Sequence, residues 1–197
     1  MIELNLYDFD NTIYDGESTF DFFFFCLKQK KSLIKYLPIV IYTTILYKMR
    51  LLSVEKLFKS ASKLTAAFVK GNFSELAEKF WAINAKKLRL NFLSKLTALD
   101  VITTASPRFL IDALLPKLGV SEAICSEMDM KTGQFKFANF GKNKVIAFKK
   151  KYPDARIKNF YTDSLNDAPL MKLAENVFLV QKDGTALSYK LESNSHK

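Results

Sequence analysis

Acidic, hydroxyl and basic side chains that could carry out chemistry recur in four short segments of this 197-residue chain. The first is residues 8–12 (DFDNT), and the second is residues 104–106 (TAS). The third contains Lys142 and Lys144, and the fourth is residues 163–167 (DSLND). Carboxylates suit a hard metal ion, whereas hydroxyl and ammonium groups stabilise phosphoryl oxygens. These residue types indicate metal-assisted chemistry on a phosphoryl group.

The elements around these segments are typical of an α/β fold. Residues 2–7 alternate apolar and polar side chains, which predicts a strand ending just before Asp8. Strands alternating with helices predict a Rossmann-like, doubly wound parallel sheet, and ligands collect at the carboxyl ends of its strands. The further predicted elements are strands at residues 100–104, 123–126, 157–162 and 177–180, helices at 107–118, 142–152 and 168–174, and a hairpin at 127–138.

Three aspartates are expected to meet at that edge of the sheet: Asp8, Asp10 and Asp163. Ionised carboxylates repel one another by ~4 kcal/mol per pair at about 4 Å in a protein environment. A divalent cation offsets this repulsion, and an all-oxygen ligand set favours Mg²⁺. The single histidine, His196, and two cysteines argue against a catalytic triad, a histidine metal site, a zinc cluster or a disulfide framework.

Residues 17–95 form a different kind of region, helical throughout and without a β-rich run. Apolar segments predict helices at residues 20–27, 33–47, 54–68 and 76–93, with Ser53 and Ser74 as N-caps. We therefore predict an α/β core formed by residues 1–15 and 97–197, interrupted by a small helical bundle at residues 16–96. This bundle is called the insert below.

The insert also carries the positive charge of the chain. Between Lys28 and Lys95 there are 15 Lys and Arg residues against three acids, whereas the whole chain has a net charge of +10. This asymmetry favours anionic partners: phosphorylated metabolites, nucleic acid or an acidic lipid surface. The charge-free run at residues 37–47 rises only ~16 Å as a helix, about half of a hydrocarbon core. With no signal-peptide pattern visible, we expect a cytoplasmic protein, or one peripheral to the inner face of a membrane.

Taken in order, the four segments resemble the motifs of the haloacid dehalogenase-like (HAD) phosphohydrolases, in the branch near phosphoserine phosphatase. Residues 8–12 match the D-x-D-x-T motif, and Thr104 matches the hydroxyl that follows the second core strand. Lys144 matches the family lysine, with Lys142 as the competing position, and residues 163–167 match the terminal D-x-x-x-D. The resemblance covers nearly the whole chain and implies a HAD core with a helical cap inserted after the first strand.

The resemblance also implies roles for these residues. Asp8 would be the nucleophile that forms an aspartyl-phosphate, and Asp10 would be the general acid and base. Thr104 and Lys144 would hold phosphoryl oxygens. Asp8, Asp163 and the backbone carbonyl of Asp10 would bind Mg²⁺. Asp167 would lie behind the metal or orient the lysine, and substrate contacts are expected from Thr12, Glu17 and Asn166.

Some residues also have a plain structural interpretation. Glu17 corresponds to the glutamate that reads the amino group of phosphoserine, but an acid in the first turn of a helix also favours the helix dipole. Ser106 is expected to cap the helix that Pro107 begins, and residues 139–141 to form a turn. Residues 20–25 are expected in the core of the insert, with Cys26 and Cys125 as small buried side chains.

The leading functional hypothesis is a Mg²⁺-dependent phosphomonoester hydrolase acting on a small phosphorylated metabolite, with phosphoserine one candidate. After Thr104 this chain has Ala105, Ser106 and Pro107, whereas phosphoserine enzymes usually have two glycines there. Thr162 likewise stands where those enzymes have a glycine before the metal-binding aspartate. Alternatives are a membrane-surface phosphatase acting on a lipid phosphate such as phosphatidylglycerophosphate, a phosphotransferase or mutase, and a non-catalytic binding module. No nucleic-acid partner is expected, because no recognised motif accompanies the basic residues.

Overall fold

The computed structural model describes residues 2–29, 31–49, 51, 56 and 73–191 of the chain. The predicted helix at residues 54–68, its Ser53 cap, His196 and the tail from residue 192 lie outside the described residues. The strands are β1 (Ile2–Tyr7), β2 (Val101–Pro107), β3 (Glu122–Met128), β4 (Phe135–Phe137), β5 (Ala155–Thr162), β6 (Ala174–Val180) and β7 (Ala186–Tyr189). The α-helices are α1 (Ser18–Gln29), α2 (Leu37–Lys48), α3 (Phe73–Asn84), α4 (Leu90–Leu93), α5 (Arg108–Asp112), α6 (Leu115–Leu118), α7 (Lys142–Lys151) and α8 (Ala168–Met171).

The strands form one sheet in the order β4-β3-β2-β1-β5-β6-β7. The five inner strands are parallel, and β4 and β7 pair antiparallel at the two edges. β1 lies between β2 on one side and β5 on the other, so the chain order changes direction at its carboxyl end. A crevice at such a point is the usual ligand site of a parallel α/β sheet. The predicted α/β, doubly wound fold class is therefore confirmed.

Apolar clusters bury the sheet on both faces. One cluster joins the sheet to the insert and includes Phe80, Trp81, Ile102 and Leu110. The other packs α7 and α8 against the sheet. Within residues 20–25, Phe22, Phe23 and Phe25 are buried but Phe24 is 44% exposed, so the core prediction holds for part of this run. Cys26 and Cys125 are buried free thiols, as expected.

The two connections between the insert and the sheet run side by side. The backbone N–H of Asp15 donates to the carbonyl of Lys87 at 2.9 Å, and that of Arg89 donates to the carbonyl of Ile13 at 2.8 Å. Trp81 Nε1 donates to the carbonyl of Leu110 at 2.6 Å within the buried interface. The insert is thus tied to the sheet by hydrogen bonds. The boundaries at residues 15–16 and 96–97 remain a prediction.

The helices of the insert differ from the expected segments in two ways. The predicted helix at residues 33–47 divides into a 3-10 helix at Lys31–Tyr36 and α2. Pro38 lies in the first turn of α2, where a missing N–H costs little. The predicted helix at residues 76–93 ends at Asn84, after which come a 3-10 turn and α4, and Ser74 lies inside α3 rather than capping it.

In the core, proline shifts one boundary. Pro107 is the last residue of β2, a position where a strand accepts proline, and α5 begins after it. The predicted helix at residues 107–118 divides into α5 and α6, with Pro116 in the first turn of α6. Gly119 ends α6 at φ 67°, as predicted. The predicted helix at 168–174 is shorter, since Ala174 already begins β6, and β7 was not predicted. The hairpin of β3 and β4 is confirmed.

No helix within the described ranges is both long and apolar enough to cross a bilayer.

Candidate active site

The carboxylate of Asp8, directly after β1, is buried against an ammonium group. Lys144 Nζ donates to Asp8 Oδ1 at 2.7 Å and to Asp167 Oδ2 at 2.7 Å. Thr162 Oγ1 donates to the same Asp167 oxygen at 2.9 Å. The first, third and fourth segments of the sequence therefore meet at the carboxyl end of β1. Lys142, the competing lysine, is exposed, so the geometry selects Lys144.

Burial and charge act in opposite directions on this group of residues. Burial raises the pKa of Asp8 well above its usual range, although the Lys144 ammonium favours the carboxylate. Burial alone would lower the pKa of Lys144, but Asp8 and Asp167 outweigh that effect and raise it. Lys144 is therefore held as a cation between two carboxylates, and one negative charge is left over when both are ionised.

Asp10 lies in a cluster of hydroxyl groups. Ser106 Oγ donates to Asp10 Oδ2 at 2.7 Å, Thr104 Oγ1 donates to the same oxygen at 3.3 Å, and the Ser18 N–H donates to Oδ1 at 2.6 Å. Ser18 Oγ and Thr19 Oγ1 lie 2.9 and 2.8 Å from Ser106 Oγ. Because the Ser106 proton goes to Asp10, both of these hydroxyls are donors. Burial raises the pKa of Asp10, against these hydrogen bonds.

The backbone of the first segment is fixed by packing and by an unusual turn. Phe9 is fully buried, with its ring centroid 5.9 Å from those of Tyr14 and Trp81. Asn11 has φ 57°, a left-handed conformation that asparagine tolerates better than most residues. The N–H groups of Ile13 and Tyr14 both donate to the Phe9 carbonyl at 2.9 Å. The segment thus turns sharply between Asp8 and the insert.

Arg89 connects this turn to the segment that follows β6. Its guanidinium donates to the carbonyls of Asn11, Gln181 and Lys182 at 3.0, 3.2 and 3.0 Å. It also donates to Asp15 Oδ1 at 3.0 Å, and its side chain is only 9% exposed. A planar group with five N–H donors suits such a set of acceptors, so Arg89 holds the backbone that follows Asp10.

A second buried amide holds the segment that contains Thr104. Asn139 Nδ2 lies 3.0 Å from the Thr104 carbonyl and 2.8 Å from the Ile124 carbonyl. Ser126 Oγ accepts from the Asn139 N–H at 3.0 Å and donates to the Ala105 carbonyl at 2.6 Å. The expectation of a simple turn at residues 139–141 was therefore incomplete, because this residue fixes the end of β2.

Asp163 follows β5 and adds a further carboxylate to the site. Burial raises the pKa of Asp163 to about 6, and the charges of Asp167 and Asp10 act in the same direction. Asp163 in turn raises the pKa of Asp8. Asp8 and Asp163 therefore both resist ionisation. A hard divalent cation stabilises the ionised form of such carboxylates.

The expected Mg²⁺ ligand set fits these donors. Across the described ranges, no three or more His, Cys, Asp or Glu side chains form a cluster that could hold a metal ion. The expected set needs only two carboxylates, those of Asp8 and Asp163, because its third protein ligand is the Asp10 carbonyl. Oδ2 of Asp8 accepts no hydrogen bond from any described residue, so this oxygen is available.

The three predicted substrate contacts are placed differently. Glu17 is exposed just before α1 and accepts from Asn11 Nδ2 at 2.9 Å. Thr12 is fully buried, and its Oγ1 has no hydrogen-bond partner in the described part of the chain. Asn166 is exposed on the turn after β5, and only its N–H, which donates to Ser164 Oγ at 3.2 Å, has a described contact. Thus neither Thr12 nor Asn166 contacts Asp8 or Asp10 by a described hydrogen bond.

Ser106, Asn139 and Arg89 are the residues that sequence reasoning missed. The prediction that Ser106 caps a helix is wrong, because Pro107 occupies that position and the Ser106 hydroxyl donates to Asp10 instead. The sequence did offer one signal for Ser106, because this serine stands where phosphoserine enzymes usually have a glycine. For Asn139 and Arg89 the sequence offers none, because their partners are distant along the chain.

This chain belongs to the haloacid dehalogenase-like hydrolases, whose family model matches residues 6–172. The match includes all four segments that meet at the end of β1. A comparison with curated protein sequences finds no significant match.

Solved structures share the fold over most of their length. A protein of unknown function from Bordetella pertussis Tohama I has a TM-score of 0.78 and 18% identity, covering 91% of this chain and 90% of that one. A phosphoserine phosphohydrolase-like protein from Francisella tularensis has a TM-score of 0.59 and 16% identity, covering 91% and 88%. A phosphoserine phosphatase, solved as an analogue of its phospho-aspartyl intermediate, has a TM-score of 0.56 and 17% identity, covering 89% and 85%. At these identities the likeness is one of fold.

Proposed function

We propose that this hydrolase is a Mg²⁺-dependent phosphatase that cleaves phosphomonoesters of small metabolites through an aspartyl-phosphate at Asp8. The observation that carries the proposal is the buried contact of Asp8 with Lys144 beside the hydroxyl-bound Asp10. Membership of the family and the phosphoserine phosphatase folds among the structural neighbours support it.

In the first step, Asp8 attacks phosphorus and the bond from phosphorus to the ester oxygen breaks. Asp10 gives its proton to that leaving oxygen, a role suited to a carboxyl group whose pKa is raised by burial. Lys144 and the Thr104 hydroxyl stabilise the charge on the phosphoryl oxygens as it spreads in the transition state.

In the second step, Asp10, now a carboxylate, takes a proton from the attacking water and Asp8 is released. The Ser18 N–H and the Ser106 hydroxyl keep Asp10 oriented through both steps. Asp167 and Thr162 keep Lys144 in position from the other side. Asp8, Asp163 and the Asp10 carbonyl would hold Mg²⁺, whose charge would keep both carboxylates ionised and would polarise a phosphoryl oxygen.

The insert at residues 16–96 is proposed to act as a cap that covers the site and selects the substrate. Its paired connections and the Trp81–Leu110 hydrogen bond support this role. Glu17 accepts a hydrogen bond from Asn11, the residue after Asp10, and we propose that Glu17 binds a polar group of the substrate. A lipid phosphate is the second candidate substrate, favoured by the exposed apolar side chains of α2.

The proposal is tested by turnover of a chromogenic aryl phosphate with and without EDTA. We expect activity that EDTA abolishes and added Mg²⁺ restores, and full activity in metal chelator would contradict the proposal. A panel of phosphorylated metabolites and lysolipid phosphates then separates the two substrate classes. Product analysis with an added acceptor alcohol separates hydrolysis from phosphoryl transfer, because a phosphotransferase would give a new phosphate ester.

A further inference from the structure

The second helix of the insert presents apolar side chains to solvent. Ile39, Ile41, Tyr42 and Ile45 of α2 are 49%, 48%, 62% and 50% exposed, and Met49 just after it is 61% exposed. Ile41, Ile45 and Met49 recur every four positions, which places them along one side of a helix. Isolated exposed apolar residues are ordinary, but a contiguous stripe marks an interaction surface.

This stripe is not the side of α2 that anchors the helix. Leu37 and Val40 pack against the buried cluster that joins the insert to the sheet, together with Tyr36. The helix is therefore apolar toward the protein and apolar toward solvent. A helix of that kind needs a second apolar environment for its outer side.

The charges around α2 indicate what that environment is. Residues 22–54 contain no Asp or Glu and six Lys or Arg. Lys28, Lys31 and Lys35, on the segments leading into α2, are exposed. Cations bordering an apolar helix face match the surface of an anionic bilayer, where phosphates lie above acyl chains. A second copy of this chain would instead bring the same positive charge against it.

The dimensions of α2 fit a helix that lies in a bilayer surface. Its 12 residues would rise only ~18 Å, well short of a hydrocarbon core of about 30 Å. We propose that α2 docks this protein onto an anionic lipid bilayer, with Ile41, Ile45 and Met49 at the boundary between headgroups and acyl chains. Lys31 and Lys35 then contact lipid phosphates. This docking is independent of the catalytic proposal, because it requires no turnover.

The test is co-sedimentation of the whole protein with vesicles of phosphatidylcholine, alone or mixed with phosphatidylglycerol, over a series of salt concentrations. We expect binding to the mixed vesicles that weakens as salt shortens the range of the lysine charges. We expect Ile45→Glu to lower the partition coefficient by about tenfold or more, because it places a carboxylate at the apolar boundary. Ile146→Glu on α7, which is 60% exposed, is the matched control and should bind like the wild type.

Thermal unfolding shows whether each variant is folded, without reference to phosphatase activity. Absence of binding to the mixed vesicles overturns the proposal, as does equal loss of binding in the two variants. Binding that is the same for neutral and anionic vesicles and does not change with salt concentration also overturns the proposal. So does a dimer that forms without vesicles and is lost in Ile45→Glu, since the stripe would then be covered by a second copy of the chain.

Discussion

The end of the sheet and the outer side of α2 invert the usual distribution of side chains in opposite ways. At the end of β1, charged groups are buried: Asp8, Lys144 and Asp167 are each less than a tenth exposed. On α2, aliphatic groups are exposed, with Ile41 and Ile45 near half exposure. Buried charges and exposed apolar stripes both lower stability, so each is expected only where another ligand compensates.

The two regions differ in how fully the protein itself provides that compensation. In the core, Lys144 bridges Asp8 and Asp167, and three donors hold Asp10. The proposed cation and the substrate's phosphoryl group complete the rest. On α2, the outer apolar side chains of the described residues are exposed, and the proposed lipid surface would supply the compensation. The side chains of the proposed catalytic region are thus held by one another, whereas the proposed docking side of α2 depends on its surroundings.

The largest effect is expected from Lys144→Met, which breaks the buried charge cluster. Asp8 and Asp167 would then lie buried without a counter-charge, so the free energy of unfolding should fall by roughly 3–5 kcal/mol. Aryl phosphate turnover should fall by about a thousandfold or more. Chemical denaturation and steady-state kinetics measure the two losses.

Lys142→Met is the matched control, since it removes the same charge from an exposed position two residues away. It should change the free energy of unfolding by less than about 0.5 kcal/mol. Equal losses of unfolding free energy and turnover in the two variants would contradict the assignment, because they would show that burial of the Lys144 ammonium between two carboxylates makes no difference.

A smaller effect is expected from Ser106→Ala, which removes the shortest side-chain donor to Asp10. Hydrogen bonds to charged groups contribute about 1.5–3 kcal/mol, so kcat should fall roughly ten- to a hundredfold. KM should change little, because Ser106 is proposed to orient Asp10 rather than to bind substrate. Ser121→Ala, at an exposed position, is the control and should leave kcat unchanged. A rise in KM with unchanged kcat would contradict this assignment.

A further effect concerns pH and the metal-free protein. Folding raises the pKa of Asp163 from an ordinary 3.8 to about 6, so the folded state binds this proton more tightly than the unfolded chain. The stability that the proton contributes is complete below about pH 4 and is lost as pH rises through about 6. Thermal unfolding in EDTA should show this loss. Asp163→Asn should reduce it, and an identical pH profile in that variant would contradict the assignment.

The sequence was sufficient to predict every strand of the sheet except β7, and the four segments, because both rest on local patterns. Apolar strands followed by acidic or hydroxyl residues identify Asp8, Thr104 and Asp163 without knowledge of their partners. The choice between Lys142 and Lys144 needed burial, which only the packed helix α7 provides. The strand β7 was missed because none of its residues is buried, so it lacks a clear apolar pattern.

Residues that act through distant partners could not be predicted. Ser106 next to Pro107 is a common local signal for a helix cap, but its partner Asp10 lies 96 residues away in the sequence. Asn139 holds the Thr104 carbonyl across 35 residues, and Arg89 reaches Asn11 across 78. Only the folded chain brings these groups together, so their roles follow from geometry and not from residue type.

The Asp8 carboxylate is proposed to form a covalent bond to phosphorus, and this bond can be detected by trapping the phosphorylated enzyme. The protein is mixed with an aryl phosphate carrying labelled phosphorus, quenched in acid within one turnover and digested for peptide mapping. We expect label on Asp8 that hydroxylamine releases, as for any acyl phosphate, and we expect the control variant Asp154→Asn to be labelled in the same way. Turnover without any labelled protein, or label that persists in Asp8→Asn, would contradict it.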